Sequence, residues 1–291
     1  SVILGLRSGL DLYANVRPIK LYDGIQHKVH GEFQQVWQPG MVDMIVLREN
    51  TEGLYHSLLQ RSADRAMGRP EYEPPHLEFP NLGDEVAYDP RPISRQGSER
   101  IIKMAFDVCS ARDGAPSDGK KRVSCIDKSN VTRGCQLFRR IFEEVSSDYE
   151  GIEVDYGYID AFTQWMIRTP EHYDVVVTTN MFGDIATDLG TVLQGGMGLA
   201  ASGNIGDEHA FFEPVHGSAP KYAGLDKVNP IASINSIGLM MSWMAKKYSA
   251  PGLYEVVTAI DDAVAEHIKD GTMLTYDLGG TASCSDCLLY T

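Results

Sequence analysis

The sequence lacks any apolar stretch long enough to span a bilayer, any internal repeat and any Gly-x-Gly-x-x-Gly fingerprint. A membrane helix needs about 20 consecutive apolar residues, so no membrane-spanning protein is expected. Without the fingerprint, an ordinary Rossmann site is not supported. The opening residues, 1–7, are too few for a secretory signal with its cleavage region. We therefore expect a cytoplasmic globular protein, and 291 residues with 43% hydrophobic composition suffice for one large unit or two lobes.

Basic residues are few, since 26 Lys and Arg stand against 40 Asp and Glu, for a net charge of −14. Such a field attracts neither nucleic acid nor an anionic membrane surface, and we expect neither as a partner. An anionic small molecule would need a local basic pocket. Guanidinium groups bind carboxylates as planar two-pronged pairs, so converging arginines would suit a di- or tricarboxylate. Taken singly, each candidate resembles an ordinary surface residue; the candidates are Arg7, Arg17 and Arg48.

Cysteines are also few, odd in number and scattered along the chain. That distribution favours free thiols in a reducing compartment over a disulfide framework. Cys284 and Cys287 have the spacing of a zinc or redox motif, but no second pair accompanies them. Free thiols are therefore the preferred interpretation for all five, which are Cys109, Cys125, Cys135, Cys284 and Cys287.

The most informative segment runs from Val175 to Asp188. Its β-branched start predicts a buried strand, and the helix that follows carries Asp184 and Asp188 four residues apart on one face. Like charges at that spacing repel by roughly a few tenths of a kcal/mol, and a divalent cation held by hard oxygen ligands would offset the repulsion. A solvated acidic face is the ordinary alternative. The carboxyl end of a strand is where ligands bind in open α/β sheets, which favours the metal.

Strands alternate with helices along the chain, which predicts an α/β architecture. Six of the fourteen prolines lie between Ser57 and Pro92, so loops and short extended pieces are expected there. A helix near Ile231–Tyr248 carries an apolar stripe typical of a core or a subunit interface. The other predicted helices are Leu6–Tyr13, Ser94–Cys109, Gln136–Val145 and Ala161–Ile167. The other predicted strands are Arg17–Leu21, Asp43–Leu47, Lys121–Ile126 and Ile152–Tyr158.

The loop Glu213–Gly224 precedes that helix and is rich in small residues. Gly217 and Ser218 would let a ligand approach backbone donors closely. His216 alone is a poor indicator of function. The loop is therefore a candidate ligand-binding segment.

Together these segments resemble the isocitrate/isopropylmalate dehydrogenase family of β-decarboxylating dehydrogenases. The matches span nearly the whole chain in the family's order and are jointly specific. The matching runs are Leu10–Pro18, Arg48–Tyr55, Asp127–Val131, Tyr158–Ala161, Asn180–Asp188 and Glu213–Pro230. The resemblance implies a two-lobed, non-Rossmann α/β fold. Residues 1–12 and 196–291 would form the cofactor lobe, and residues 13–195 the lobe for substrate, metal and dimer contacts.

Members of this family oxidise a 2-hydroxy acid carrying a 3-carboxylate, transfer hydride to NAD or NADP, and release carbon dioxide. By resemblance, Lys128 of the partner subunit would be the general base, and Tyr55 the acid that protonates the enolate carbon. Mg²⁺ or Mn²⁺ would be held by Asp184, Asp188 and Asp160 of the partner subunit. A homodimer with shared active sites is therefore expected. The implied substrate residues are Arg7, Arg17, Arg48 and Asn130, and the implied cofactor residues are His216, Gly217, Ser218, Ala219, Lys221, Tyr222, Asn229 and Tyr276.

The choice of cofactor and substrate depends on few positions. The family resemblance implies that NAD-dependent relatives carry an acidic residue at the position of Lys221. A lysine at this position favours the 2′-phosphate of NADP. The arginine expected four residues after Tyr276 is Gly280, which weakens that preference and leaves NAD open. The resemblance implies that isocitrate enzymes carry the motif Ser-x-Asn here, with the serine at the position of Ser1 and the asparagine at that of Ile3. Here Ile3 and Leu4 offer an apolar wall, which disfavours a charged substituent and favours a 3-isopropylmalate-like substrate over isocitrate. Homoisocitrate, tartrate and malate remain alternatives, because the enzymes that act on them share the surrounding motifs.

The resemblance also implies a further N-terminal segment, with the first strands of the cofactor lobe, before residue 1. We therefore expect the chain to be an N-terminally truncated member, with an inactive fragment or a regulatory subunit as alternatives. Regulatory subunits would lose catalytic side chains. All five are kept here, which favours an enzyme; they are Tyr55, Lys128, Asp160, Asp184 and Asp188.

Overall fold

The computed structural model describes residues 2–79, 81–82 and 85–291. Its strands within these ranges are β1 (Ala14–Lys20), β2 (His27–Val29), β3 (Glu32–Gln34), β4 (Asp43–Glu49), β5 (Arg122–Asp127), β6 (Glu153–Tyr158), β7 (Val175–Thr178), β8 (Ala201–Ile205) and β9 (Ala210–Pro214). The helices are α1 (Val2–Gly9), α2 (His56–Ala66), α3 (Arg95–Ser110), α4 (Arg133–Ser146), α5 (Ile159–Arg168), α6 (Asn180–Leu193), α7 (Ile231–Lys247), α8 (Leu253–Asp270) and α9 (Cys284–Tyr290).

Seven strands form one sheet in the order β6-β5-β7-β4-β1-β8-β9, and β2 and β3 form a separate hairpin. The four strands from β6 to β4 are parallel. Strand β1 runs antiparallel to both β4 and β8, and β9 runs antiparallel to β8. The carboxyl ends of the four parallel strands therefore lie along one edge of the sheet. The predicted α/β architecture is confirmed.

Helices cover both faces of this sheet, which explains why its central strands are apolar throughout. Strand β7 is fully buried. Val175 and Val177 pack into the core formed with α3 and α4, while Val176 packs into the opposite core, which includes Ala186 of α6 and Ile231 of α7. Successive side chains of β7 thus point to opposite faces of the sheet, and the strand packs into both cores.

Two of the predicted elements near the N-terminus are wrong. The helix expected over Leu6–Tyr13 is α1, which ends at Gly9, and the chain then turns through Asp11 with a φ of 48°. The loops expected from Ser57 begin later, because α2 occupies His56–Ala66. The prolines of that region all follow Ala66, so they could not oppose the helix. Packing of α1 against α2 stabilises both.

The other predicted elements are present, with ends shifted by a few residues. Ser94 caps α3, and its hydroxyl accepts a hydrogen bond from the amide of Gly97 at 2.9 Å. In α7, Ile231 is buried in the core, whereas Ile237 is 45% exposed. Among the described residues, no helix combines the length and apolar character that crossing a membrane requires.

Candidate active site

Side chains predicted to act in the site follow the carboxyl ends of the parallel strands. Arg48 is near the end of β4, Lys128 follows β5, Asp160 opens α5 after β6, and Asp184 lies in the first turns of α6 after β7. Parallel strands bring these ends to one edge, where ligands bind in open α/β sheets. The topology thus gathers residues that are far apart in sequence.

Arg48 is held rigidly between β4 and α6. It is 1% exposed, and its Nε and Nη2 donate to the side-chain oxygen of Asn180 at 3.0 and 2.8 Å. Its Nη1 pairs with Asp184 Oδ1. This approach needs a glycine, because a Cβ on Gly183 would lie 2.6 Å from the Cβ of Arg48. Buried arginines persist only when paired, and Arg48 has both partners.

Arg17 extends from β1 toward the next turn of α6. Its Nη1 donates to Asp188 Oδ1 at 3.3 Å and to the hydroxyl of Thr187, and its Nη2 lies 3.8 Å from Asp184 Oδ1. The side chain is almost buried, and desolvation, followed by repulsion from Arg48, lowers its pKa. Two arginines therefore face two aspartates along α6.

Arg7 reaches the site from α1 and rests on a buried amide. The side-chain oxygen of Asn204 accepts from Arg7 Nε at 3.1 Å and from the amides of Asn15 and Asn50, each at 3.0 Å. The Asn204 amide nitrogen donates to Glu213 at 3.2 Å. Desolvation, together with repulsion from Arg48, lowers the pKa of Arg7 to about 10. Asn204 joins four distant segments and orients the third predicted arginine.

Tyr55 and Asp184 form a proton-donor pair beside these arginines. The Tyr55 hydroxyl donates to Asp184 Oδ2 at 2.6 Å. Burial, and then this hydrogen bond, raises the pKa of Tyr55. Burial alone would raise the pKa of Asp184, but the positive charge of Arg48 and the tyrosine hydrogen bond outweigh it and lower that pKa. The pair is a protonated phenol next to an ionised carboxylate.

Lys128 and Asp160 form a separate pair within this chain. The Lys128 ammonium donates to Asp160 Oδ1 at 2.5 Å and lies 5.7 Å from the ring centroid of Tyr158. The preceding residue, Asp127, fixes the turn by accepting two hydrogen bonds from Arg139. Over the described ranges, no three His, Cys, Asp or Glu side chains come together as a metal site. Asp160 therefore does not join Asp184 and Asp188 within one subunit.

Asp184 and Asp188 suit a hard cation by their chemistry. Both are carboxylates on one face of α6, with 35% and 53% of their side chains exposed. Oxygen ligands of this kind are those that Mg²⁺ and Mn²⁺ prefer. The arginines now paired with them would then be available to substrate carboxylates.

The remaining predicted substrate residues are less enclosed. Ile3 is 38% exposed on α1 and Leu4 is half-buried beside it. Asn130 is exposed in the turn after Lys128. Ser1 lies outside the described residues. Ile3 and Leu4 share α1 with Arg7, and Asn130 lies two residues after Lys128.

A cleft of about 560 Å³ lies next to the glycine pair that follows α6. Six of the eight predicted cofactor residues line it, which are His216, Gly217, Ala219, Tyr222, Asn229 and Tyr276. Ser218 and Lys221 lie in the same loop, and the Lys221 ammonium is 4.9 Å from the ring centroid of Tyr222. Asn229 is fixed in the cleft because its amide donates to Asp277 at 3.1 Å. The structure thus gathers this group, although its members span 61 positions of sequence from His216 to Tyr276.

Sequence reasoning did not assign Asn180, Gly183 or Asn204 to the site. Asn180 and Gly183 lie in the run Asn180–Asp188, so their spacing from Asp184 was a usable signal. Asn204 is an isolated amide in β8, and no local pattern marks it. Its role comes from partners in α1, β1 and the segment after β4.

Arginines and aspartates lie together at the carboxyl edge of the sheet, which is where ligands bind in open α/β folds, and a cleft of about 560 Å³ lies beside the glycine pair that follows α6. The family model described as isocitrate/isopropylmalate dehydrogenase matches residues 1–288. The 3-isopropylmalate/3-methylmalate dehydrogenase of Methanocaldococcus jannaschii is 38% identical over 280 residues, covering 96% of this chain and 72% of that protein. The homoisocitrate dehydrogenase of the same organism is 38% identical over 289 residues, covering 98% and 72%.

The crystal structure of isocitrate dehydrogenase from Methylococcus capsulatus matches with a TM-score of 0.78 and 33% identity, covering all of this chain and 75% of that one. The chain belongs to the isocitrate/isopropylmalate dehydrogenase family. The predicted family, fold and class of enzyme are confirmed: NAD(P)-dependent decarboxylating dehydrogenases that act on hydroxy carboxylic acids with a divalent metal.

Proposed function

We propose that this chain catalyses the oxidative decarboxylation of a 3-substituted malate, with a 3-isopropylmalate-like substrate favoured. The observation that carries the proposal is the contact set around Asp184, which joins Arg17, Arg48 and Tyr55 on one carboxylate. The arginines bind the two malate carboxylates as planar donors, with Arg7 as the third. Asn130 borders the substrate from the turn after β5.

Asp184 and Asp188, with Asp160 of the partner subunit, would hold Mg²⁺ or Mn²⁺. The cation supplies a Lewis acid that lowers the pKa of the substrate C2 hydroxyl and stabilises the charge left by decarboxylation. Lys128 of the partner subunit accepts the hydroxyl proton. In one subunit its ammonium donates a hydrogen bond to Asp160, so Lys128 must leave this contact and lose one proton before its neutral amine can accept the hydroxyl proton.

Tyr55 delivers a proton to the enolate carbon after carbon dioxide leaves. General acids act through a hydrogen still bound at the working pH. The raised pKa of Tyr55, caused by burial and by Asp184, keeps that hydrogen in place. Asp184 then stabilises the position of the phenol through its 2.6 Å hydrogen bond.

The substrate preference rests on Ile3 and Leu4 of α1, which are apolar where isocitrate enzymes are expected to carry polar side chains. An unpaired carboxylate facing them would be costly to desolvate. Isocitrate, homoisocitrate, tartrate and malate remain the alternatives. The names of the relatives, 3-isopropylmalate/3-methylmalate and homoisocitrate dehydrogenase, cover both apolar and carboxylate substituents.

NADP is the proposed cofactor, with NAD as the alternative. Lys221 lies beside Tyr222, which lines the cleft together with His216, Gly217 and Asn229. An ammonium group there favours a 2′-phosphate over a free hydroxyl pair. Ser218 and Ala219 lie between these residues in the loop that approaches the dinucleotide.

A homodimer with shared sites completes the proposal. Strand β6 is an edge of the sheet. Apolar side chains of β6 and of the following helix α5 are exposed to between 39% and 50%, namely Val154, Tyr156 and Tyr158 on β6 and Trp165 on α5. Contiguous exposed apolar side chains on an edge strand indicate an interface. Residues 13–195 would make these contacts, and residues 1–12 with 196–291 would bind the cofactor.

The test is the absorbance of reduced nicotinamide across the five candidate substrates, with NAD or NADP, in Mn²⁺ and in chelator. We expect metal-dependent reduction, fastest with 3-isopropylmalate and NADP. Fastest turnover of isocitrate or homoisocitrate would overturn the substrate assignment alone. No reduction with any pair would overturn the proposed catalytic activity and favour the regulatory or inactive alternative.

A further inference from the structure

Two lysines flank a pair of tyrosines at one end of the cofactor cleft. The Lys227 ammonium lies 4.7 Å from the ring centroid of Tyr276 and 5.9 Å from that of Tyr222. The Lys221 ammonium lies 4.9 Å from the ring centroid of Tyr222. The two rings are 6.0 Å apart, centroid to centroid. Two ammonium groups and two phenol hydroxyls form a donor set that suits a phosphate dianion.

Position 280 has no room for a side chain that could supply this charge. A Cβ on Gly280 would lie 1.9 Å from the carbonyl oxygen of Leu274. The backbone there is also fixed, because the Gly280 amide donates to the carbonyl of Thr275 at 3.0 Å. Within the described residues, Lys227 is the cation recorded over the Tyr276 ring.

The first turn of α9 fixes the backbone from which Lys227 extends. Asp226 has a φ of 49°, which a non-glycine residue keeps only when its surroundings hold it. Its carboxylate accepts from the amide and hydroxyl of Ser285 at 3.0 and 2.9 Å, and its carbonyl accepts from the Cys284 amide at 2.8 Å. A fixed backbone lowers the ordering cost that ligand binding would otherwise incur.

We infer that Lys227 is a specificity-determining residue that binds the ribose 2′-phosphate of NADP together with Lys221. This inference rests on the proposed preference for NADP and adds a residue that the family resemblance did not supply. Lys227 would act on the phosphate alone, because its ammonium lies next to the two phenol rings.

The test is calorimetric binding of adenosine 2′,5′-bisphosphate and of adenosine 5′-monophosphate to the whole chain. Because Lys227→Gln removes a charged hydrogen bond to the phosphate, the affinity for the bisphosphate should fall at least about tenfold. The affinity for the monophosphate should be almost unchanged. Lys227→Arg should keep most of the discrimination. Lys103→Gln removes an exposed lysine on α3 and is the matched control.

The outcomes separate the two proposals. If the unmodified chain prefers the bisphosphate and Lys227→Gln binds it equally well, the role of Lys227 is wrong while the preference for NADP stands. If the unmodified chain binds both adenosine phosphates equally, the proposed preference for NADP is wrong and the role of Lys227 fails with it. Lys227 is exposed, so the substitutions should not disturb folding.

Discussion

The hydroxyl of Tyr55 donates to Asp184 at 2.6 Å, and the same carboxylate pairs with Arg48. Asp184, itself a proposed metal ligand, therefore connects the proposed proton donor with a proposed substrate arginine. Burial, followed by the hydrogen bond to Asp184, raises the pKa of Tyr55 above its ordinary value. The phenol thus remains protonated at neutral pH, as a general acid must.

Replacing Tyr55 by phenylalanine should slow turnover by about a hundredfold or more, since positioned general acids contribute roughly 10²–10⁴. Mn²⁺ affinity should change little, because Asp184 keeps its charge. Steady-state kinetics and metal titration check the two expectations. Tyr254→Phe, at an exposed position on α8, is the control. Unchanged kcat in Tyr55→Phe would exclude Tyr55 as the acid.

Gly183→Ala should destabilise the fold by about 1–3 kcal/mol, the usual cost of overpacking a core. The added Cβ would lie 2.6 Å from Arg48 Cβ, and this outweighs the gain in helix propensity. Gly5→Ala, in α1, is the matched control, because nothing lies within 4 Å of its added Cβ. Gly5→Ala should stabilise by about 0.5–1 kcal/mol. Urea unfolding of both variants measures the difference, and equal effects would contradict the proposed close packing.

Asn204→Leu should weaken both stability and substrate binding. It removes the common acceptor of the Arg7 guanidinium and of the amides of Asn15 and Asn50. The two amides keep one acceptor each, and a buried donor left unpaired costs about 1–3 kcal/mol. A misplaced Arg7 should raise KM more than it lowers kcat. Asn204→Asp keeps the acceptor and should preserve more of the binding. If both variants have an unchanged KM, Asn204 does not position Arg7.

Local sequence patterns predicted much of the central sheet. Val175–Thr178 was recognisable because β-branched residues buried on both faces form a continuous apolar run, and the two aspartates follow at helical spacing. Helix α2 was missed because the prolines after Ala66 dominated the composition of its region. A helix needs only its own eleven residues to be free of breakers.

The contacts that orient the site depend on tertiary structure. Asn204 accepts from residues 7, 15 and 50, and no window of sequence contains these four. Likewise, no sequence pattern marks Lys227, because only the fold places its ammonium next to the ring of Tyr276. Residue types marked the candidate arginines and aspartates, whereas their pairing required the register of β1 and β4.

Lys221→Asp should shift cofactor preference toward NAD. A carboxylate repels a 2′-phosphate and accepts hydrogen bonds from a ribose hydroxyl pair, so the ratio of kcat/KM for NADP to that for NAD should fall at least about tenfold, or 1.4 kcal/mol. Lys246→Asp, exposed on α7, controls for the change in net charge. An unchanged ratio in steady-state kinetics would exclude Lys221 as the determinant.

Mixing two inactive variants tests whether the site is shared between subunits. Lys128→Ala should remove the base that one subunit contributes to its partner's site. Asp184→Asn should remove a metal ligand from the site of the subunit that carries the substitution. In a heterodimer of the two, one site contains intact Lys128 and intact Asp184, and the other contains both defects. Random exchange makes half of the dimers mixed, so about a quarter of the unmodified activity should return.

The control for this exchange is a mixture of Asp184→Asn with Asp188→Asn. Both substitutions lie on α6 and would damage the same subunit's site, so no mixed dimer contains an intact one. Recovery in the first mixture and none in the second would support sharing. Equal absence of recovery, with subunit exchange verified by mass, would place Lys128 and Asp184 in the same subunit's site and reassign the 2.5 Å pair of Lys128 with Asp160 to a structural role.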